Sequence, residues 1–318
     1  MKGENTISIC ILNLNPCYDH WVILKRPSEI PNVVRGDEVV RLVDGKGLNI
    51  ARVFSRVLGF DDYFCINILG GQVGTIIESE CNRLGIRTEN FWIEDCSRIN
   101  TALVYEYENR TFMINEPGPV VKKEETEAFI EYFKGKIRPH MSLVISGSAP
   151  RGFENGEMIE LVEIAMNSGC CLKVDIAGIW LSRIATLSPE LLKINADELK
   201  ATFGIEEDDF EAMEEFRKEY SISDLIITDG KRGSTWFSTT EKLRAFSTKS
   251  QADFSIGSGD SFFAGLLYGQ ERLSSKREAL KIATACGAAN TLHYGAAIFE
   301  YSEVEESIDD VVVRSIDI

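Results

Sequence analysis

Short unbroken apolar runs, each followed by a stretch with apolar residues at helical spacing, recur along most of this chain and leave few folds open to it. Residues 7–14, 63–69, 143–146, 172–176, 191–194 and 225–228 have strand length and are apolar at nearly every position. Residues 48–58, 73–84, 154–167 and 208–220 carry the helical pattern, and the first two stop at Gly59 and Gly85. A strand apolar on both sides must be covered on both faces, and a helix between two strands returns the chain for parallel pairing. The pattern predicts an α/β fold: a three-layer α/β/α arrangement with a mainly parallel central sheet. Two stretches break the alternation. Residues 15–44 contain Pro16, Pro27 and Pro31 before the apolar run 38–43. Residues 90–115 hold two period-two runs, 100–107 and 110–114, separated at Glu108 and Asn109, which reads as a hairpin. These two stretches are expected to form a small β-sheet lid, on a core made of residues 1–14, 45–89 and 116–318.

Composition excludes several classes. The chain has 318 residues, enough for one large domain with an appendage. Lys plus Arg is 34 and Asp plus Glu is 50, so the net charge is 34 − 50 = −16. Without a Lys/Arg cluster, that charge argues against a nucleic-acid partner, whose binding rests on neutralising phosphates. No apolar stretch approaches the roughly 18 residues of a membrane span. Glu4 and Asn5 before a short apolar run match a signal peptide poorly, so a cytoplasmic location is expected. Eight Cys occur with no CxxC pair and only three His, which predicts reduced, mostly buried thiols rather than a zinc site.

Three glycine turns carry possible chemistry. Gly257-Ser258-Gly259-Asp260 opens a helix with Phe262, Phe263, Leu266 and Leu267 on one face. The first amides of a helix lack intrahelical acceptors and face the positive end of its dipole, so such a turn binds phosphate oxygens. An Asp in that first turn is placed to take a proton from an attacking hydroxyl; a plain capped helix start would look the same. Asp44-Gly45-Lys46-Gly47 opens a second helix that carries Asn49. It is neither a P-loop nor a dinucleotide fingerprint, because both spacings are absent. Thr228-Asp229-Gly230-Lys231-Arg232-Gly233 follows a strand and reads either as a phosphate-contacting turn or as a hairpin turn.

These turns occur in a fixed order with Asn15-Pro16-x-x-Asp19, Ser146-Gly147-Ser148-Ala149-Pro150-x-Gly152 and Lys193-Ile194-Asn195-x-x-Glu198. With them, the chain from about residue 6 to about residue 295 resembles the ribokinase-like carbohydrate kinases of the PfkB branch, most of all 1-phosphofructokinase and tagatose-6-phosphate kinase. The resemblance implies a ribokinase-like fold and transfer of a phosphoryl group from ATP, with Mg²⁺, to a hydroxyl of a sugar or sugar phosphate. It implies Asp260 as base, with the amides of Gly257, Ser258 and Gly259 as the anion hole. It implies Asp19, Gly45, Lys46, Asn49, Arg98, Asn100 and Ser146 at the acceptor sugar. Lys193, Thr228, Gly230, Gly233 and Asn290 would face the nucleotide, and Asn195 and Glu198 the metal. It also implies pairing of two copies through the lid. A solvated helix carboxylate for Glu198, a surface turn for Asp19 and an exposed hairpin charge for Arg98 stay open as plainer readings.

Three positions depart from the family pattern. Asp44 puts a negative charge beside the sugar turn, where relatives have Gly or Ala. Ala102 replaces a Lys expected to bind substrate phosphate, and Ile194 replaces a Pro. Losing one charged hydrogen bond costs roughly 1.5–3 kcal/mol. A sugar-phosphate kinase therefore stands beside a kinase for a neutral sugar, nucleoside or polyol. A non-catalytic sugar or nucleotide sensor would have lost Asp260 or the glycines, and all are present.

Overall fold

The computed structural model describes residues 8–27, 33–153, 156–249 and 254–317. Of the residues singled out above, Glu4, Asn5, Ile7, Pro31 and Glu154 lie outside this set. The first half of the chain runs β1 (Ile9–Asn13), β2 (Cys17–Leu24), β3 (Glu38–Asp44), α1 (Lys46–Arg52), β4 (Tyr63–Gly70), α2 (Gly71–Arg83), β5 (Thr88–Ile93), β6 (Arg98–Tyr105), β7 (Arg110–Asn115), α3 (Lys123–Lys136) and β8 (Ser142–Ser146). The second half runs α4 (Glu157–Asn167), β9 (Cys171–Asp175), α5 (Ile179–Ala185), β10 (Leu191–Asn195), α6 (Ala196–Phe203), α7 (Phe210–Glu219), β11 (Asp224–Thr228), β12 (Ser234–Ser238), β13 (Lys242–Ser247), α8 (Ser258–Arg272), α9 (Lys276–Asn290), α10 (Tyr301–Ile308) and β14 (Val311–Ser315).

One sheet has the order β14-β13-β12-β11-β10-β9-β8-β1-β4-β5. From β5 to β11 the neighbours pair in parallel, and β12 to β14 are added antiparallel at one edge. The period-two pleat sorts the apolar residues into two cores. On β1, Ile9 and Ile11 face Phe263, Leu266 and Ala283 of α8 and α9, whereas Cys10 and Leu12 face Phe129, Phe133 and Leu161 of α3 and α4. This is the three-layer α/β/α arrangement the alternation predicts. Among the eight Cys, only Cys96 is exposed, and all are free thiols. Among the described residues no helix is long and apolar enough to cross a membrane.

The second sheet, β3-β2-β6-β7, is the lid. Its inner face packs Trp21, Ile23, Leu42, Ala102 and Val104, with Phe254, Ile256 and Tyr294 of the larger domain against it. Residues 90–93, expected in the lid, belong to β5 and pair with β4 in the large sheet. The chain joins the lid at Arg98, where β6 pairs with β2 in parallel. The helix expected over 48–58 is also different. The α-helix stops at Arg52 and a π-helical turn covers Val53–Val57, with Leu58 N donating to Val53 O at 2.9 Å. Tyr63 Oη takes the Ala51 carbonyl at 3.1 Å, while Val53, Phe54 and Val57 stay buried in the wider turn.

Candidate active site

Parallel strands bring their C-terminal ends to one edge of the sheet. In spatial order β1, β8, β9, β10 and β11 end in Asn13, Ser146, Asp175, Asn195 and Thr228, so five apolar strands each close on a polar residue. At about 4.8 Å per strand this row is roughly 19 Å long, enough to seat a nucleotide and a sugar end to end. Crevices at such strand ends are the usual ligand sites of open α/β sheets.

Two helix N-termini point at the row. Gly45 precedes α1 with φ 119°, and a Cβ there would lie 3.0 Å from Asn13 Oδ1 and 3.1 Å from Pro16 Cα. Gly257 precedes α8 with φ 82°, and a Cβ there would lie 2.4 Å from Ala296 Cβ. Both turns therefore need glycine. In the α8 turn the Ser258 amide donates to Ser255 O at 3.1 Å, so this member of the expected anion hole is already bonded. The first intrahelical bond is Ser261 N to Gly257 O, at 2.9 Å. The Gly259 and Asp260 amides thus precede the ladder, as first-turn donors do.

A cavity of about 470 Å³ lies over the β9–β11 end of the row. Lys46, Lys193, Asn195, Glu198, Thr228, Gly230, Gly233, Ser258 and Gly259 all line it, so residues singled out in four separate motifs converge on one space. The turn at 230–232 is both of the alternatives open from sequence: it connects the antiparallel pair β11 and β12, and it lines the cavity. Asn195 and Glu198 form a reciprocal cap on α6, with Glu198 N donating to Asn195 Oδ1 at 2.8 Å and Asn195 N to Glu198 Oε2 at 3.2 Å. Asn290 differs from expectation. It is fully buried and bonded: Nδ2 donates to Ile256 O at 2.8 Å, and Oδ1 accepts from Ala297 N at 2.7 Å and Ser261 Oγ at 3.2 Å. It clips the 256–261 turn in place. Thr284, Gly287, Ala288 and Thr291, on another face of α9 and its end, line the cavity instead.

Asp175 was not singled out from sequence. Its Oδ1 lies 3.2 Å from Lys193 Nζ and 3.4 Å from Lys46 Nζ at the cavity floor. Burial would raise its pKa, but the two ammonium groups outweigh that and hold it below the ordinary value. The only trace in the sequence is a carboxylate closing an apolar strand.

Asp260, Asn49, Asp44, Asp19 and Asn100 cluster under the lid. Asp260 is buried, and its Oδ2 accepts from Asn49 Nδ2 at 2.8 Å. Burial pushes its pKa up to about 6; Lys46 opposes the rise, and Asp175 and Asp44 add to it. Asn49 Nδ2 also donates to Asp44 Oδ1 at 3.1 Å. Asp19 is 2% exposed, and Asn100 Nδ2 donates to it and to Cys17 Sγ, each at 3.0 Å. Burial raises Asp19, and burial with the nearby Asp19 raises Asp44 to about 7. The sulfur of Cys17 and carboxylate oxygens of Asp19 and Asp44 lie within 4.8 Å of one another. Asn100 donates to the first two, and Gly45 N and Asn49 donate to the third, so this is a hydrogen-bonded cluster rather than an open metal cage.

Arg98 spends its fork on backbone carbonyls, those of Asn15 at 3.1 Å and Glu116 at 3.4 Å. Ala102 is buried opposite Trp21 in the lid core, so no cation reaches the site from that position. Three buried polar atoms here have no hydrogen-bond partner: Asn15 Oδ1, Arg98 Nε and Ser146 Oγ. Buried polar groups are rarely left so, and a cluster of them marks where a polar ligand belongs.

Comparison with known proteins follows the same lines. A family model described as pfkB family carbohydrate kinase matches residues 12–302. A 1-phosphofructokinase from Borreliella burgdorferi is 27% identical, covering 97% of this chain and 99% of that protein. A D-tagatose-1-phosphate kinase from Bacillus licheniformis is 28% identical, over 85% of this chain and 88% of that one. The crystal structure of phosphofructokinase-2 from Escherichia coli in complex with substrates and products superposes with a TM-score of 0.88 at 23% identity, over 95% of this chain and 99% of that chain.

Proposed function

The chain belongs to the pfkB family of carbohydrate kinases, and from that premise we propose that it transfers the γ-phosphoryl group of ATP to a hydroxyl of a ketohexose phosphate, with Asp260 as the base. The observation that carries this reading is the contact chain Asp260–Asn49–Asp44 beside Asp19, which links a buried carboxylate at the mouth of α8 to the polar pocket under the lid. Relatives named 1-phosphofructokinase and D-tagatose-1-phosphate kinase support a phosphorylated ketohexose as acceptor.

In this reading Asn49 holds one carboxylate oxygen of Asp260 and leaves the other to accept the proton of the attacking hydroxyl. A base with a pKa near 6 is ionised at neutral pH yet still a useful proton acceptor. The first-turn amides of α8, with Lys46 and Lys193, meet the negative charge on the transferring group. Phosphoryl transfer is mostly a matter of such positioning and neutralisation. The oxygen-only pair Asn195 and Glu198, facing the cavity, fits a Mg²⁺ that keeps most of its waters. That ion would neutralise phosphate charge. Asp19 and Asn100 orient acceptor hydroxyls, and the lid excludes water that would otherwise take the phosphoryl group. The lid's outer face exposes Val39, Phe112 and Ile114, which supports pairing of two copies through it.

Asp44, the buried Ala102 and the occupied fork of Arg98 favour a second reading, in which the acceptor is a neutral sugar or polyol. Turnover against fructose 1-phosphate, tagatose 1-phosphate, fructose 6-phosphate, ribose and common nucleosides separates the two. The expected result is activity on a sugar phosphate, with Arg98→Ala raising KM roughly tenfold or more for that acceptor. Activity confined to neutral acceptors would exchange the first reading for the second.

A further inference from the structure

We infer that Asp44 is a positioning residue for the reaction: together with Arg52 it holds the Asn49 side chain in the one orientation that aligns Asp260. This rests on the reading of Asp260 as the base. An Asn amide has two faces of similar shape, and turned around it would present oxygen to Asp260 and repel it. Three groups here exclude that state. Asn49 Nδ2 donates to Asp260 Oδ2 at 2.8 Å and to Asp44 Oδ1 at 3.1 Å, so both its N–H groups end on carboxylates. Asn49 Oδ1 accepts from Arg52 Nη1 at 3.4 Å, and a guanidinium has donors only. Reversal would break all three contacts at once. The outer groups are themselves anchored: Gly45 N donates to Asp44 Oδ1, and Arg52 donates to the carbonyls of Val43 and Ala296. Asn49 and Arg52 are 2% and 3% exposed, so water does not offer substitute partners.

The same arrangement ties the charge of Asp44 to the base. The groups facing this pair are Cys17 and Asp19 from β2, Lys46 and Arg52 from α1 and Asp175 from β9, with Arg98 of β6 beside Asp19 and Lys193 of β10 paired to Asp175. Among them Asp44 and Asp175 push Asp260 toward the protonated form, beneath the larger push of burial, and Lys46 pulls against them. Removing the charge at 44 favours ionised Asp260, but Asp44, itself raised to about 7, is largely protonated where Asp260 titrates, so the effect on the base is small and the main role of Asp44 is geometric.

The test is the pH dependence of kcat and kcat/KM for Asp44→Asn and Asp44→Ser, with Asp260→Asn measured in parallel. For both Asp44 variants the acid limb is expected to move to lower pH by well under one unit, because Asp44 is itself largely protonated near pH 6. In Asp44→Asn, which keeps an acceptor oxygen, kcat on the plateau falls by about tenfold or less. In Asp44→Ser, whose oxygen sits further back, it falls more. Acceptor KM stays within about twofold in both, because Asp44 acts through Asn49. A folded Asp44→Ser with the parent's plateau kcat overturns the proposal. So does a rise in acceptor KM at constant kcat, which would make Asp44 a substrate contact. If Asp260→Asn itself turns over normally, the assignment of the base falls and this inference with it. If Asp260→Asn is inactive while Asp44→Ser keeps the parent's kcat, only the role of Asp44 is lost.

Discussion

The two halves of the cleft are made of different material. The proposed nucleotide half is lined by small residues, Gly230, Gly233, Ser258, Gly259, Thr284, Gly287 and Ala288, which bring main chain to the cavity. The proposed acceptor half is made of side chains, Asp19, Asn49, Asn100 and Asp260 buried and Asp44 half-buried, joined as Asn100–Asp19 and as Asp44–Asn49–Asp260 at 2.8–3.1 Å. A main-chain amide is a donor whatever residue carries it, so the first half depends on backbone shape, and on glycine where the turn demands it. The second depends on side-chain identity, because one substitution alters charge, geometry and pKa together.

Replacing the group shared by both halves should have the largest effect. Asp260→Asn is expected to lower kcat by at least about 10² with ATP affinity intact, read by steady-state kinetics and nucleotide titration. The same variant should be more stable than the parent. Burial holds the pKa of Asp260 above its unfolded value, so the folded state favours the protonated form. The resulting cost is absent below the unfolded pKa and complete above about 6. A melting curve at pH 8 should show the gain, and one well into the acid range should not. Next in size is Asp19→Asn, confined to the acceptor half. It should cost roughly 10–100-fold in kcat/KM for the acceptor and leave KM for ATP unchanged. A parallel loss in both would mean the halves are not separable. The smallest effect belongs to the nucleotide half: Glu198→Gln should raise the Mg²⁺ needed for half-maximal rate by about tenfold with acceptor KM unaffected. A Mg²⁺ titration with no shift would return Glu198 to a plain helix cap.

Much of this was legible along the chain. Unbroken apolar strands alternating with amphipathic helices specify a covered parallel sheet, and the lid's hairpin shows in its alternation. Asp260, Lys46 and the 228–233 turn could be marked because each belongs to a glycine turn whose chemistry is local, whereas Asn195 and Glu198 were marked only through the family resemblance. Asp175 could not, because its importance comes from two lysines brought to it by other elements. Asn290 looked like a ligand contact and proved to be a clip, since which face of α9 meets the cavity depends on how that helix docks.

Local chemistry was enough for most of the elements, for glycine turns at 45 and 257, and for a carboxylate placed in the first turn of a helix, because torsional limits and unpaired amides act over a few residues. The partners of those groups were decided by packing. Residues 19, 44, 49, 100 and 260 are drawn together when α1 and α8 meet beneath the lid, and burial there shifts carboxylates that have ordinary acidity in an extended chain. Desolvation and charge coupling depend on distance in space, and separation along the chain does not report that distance.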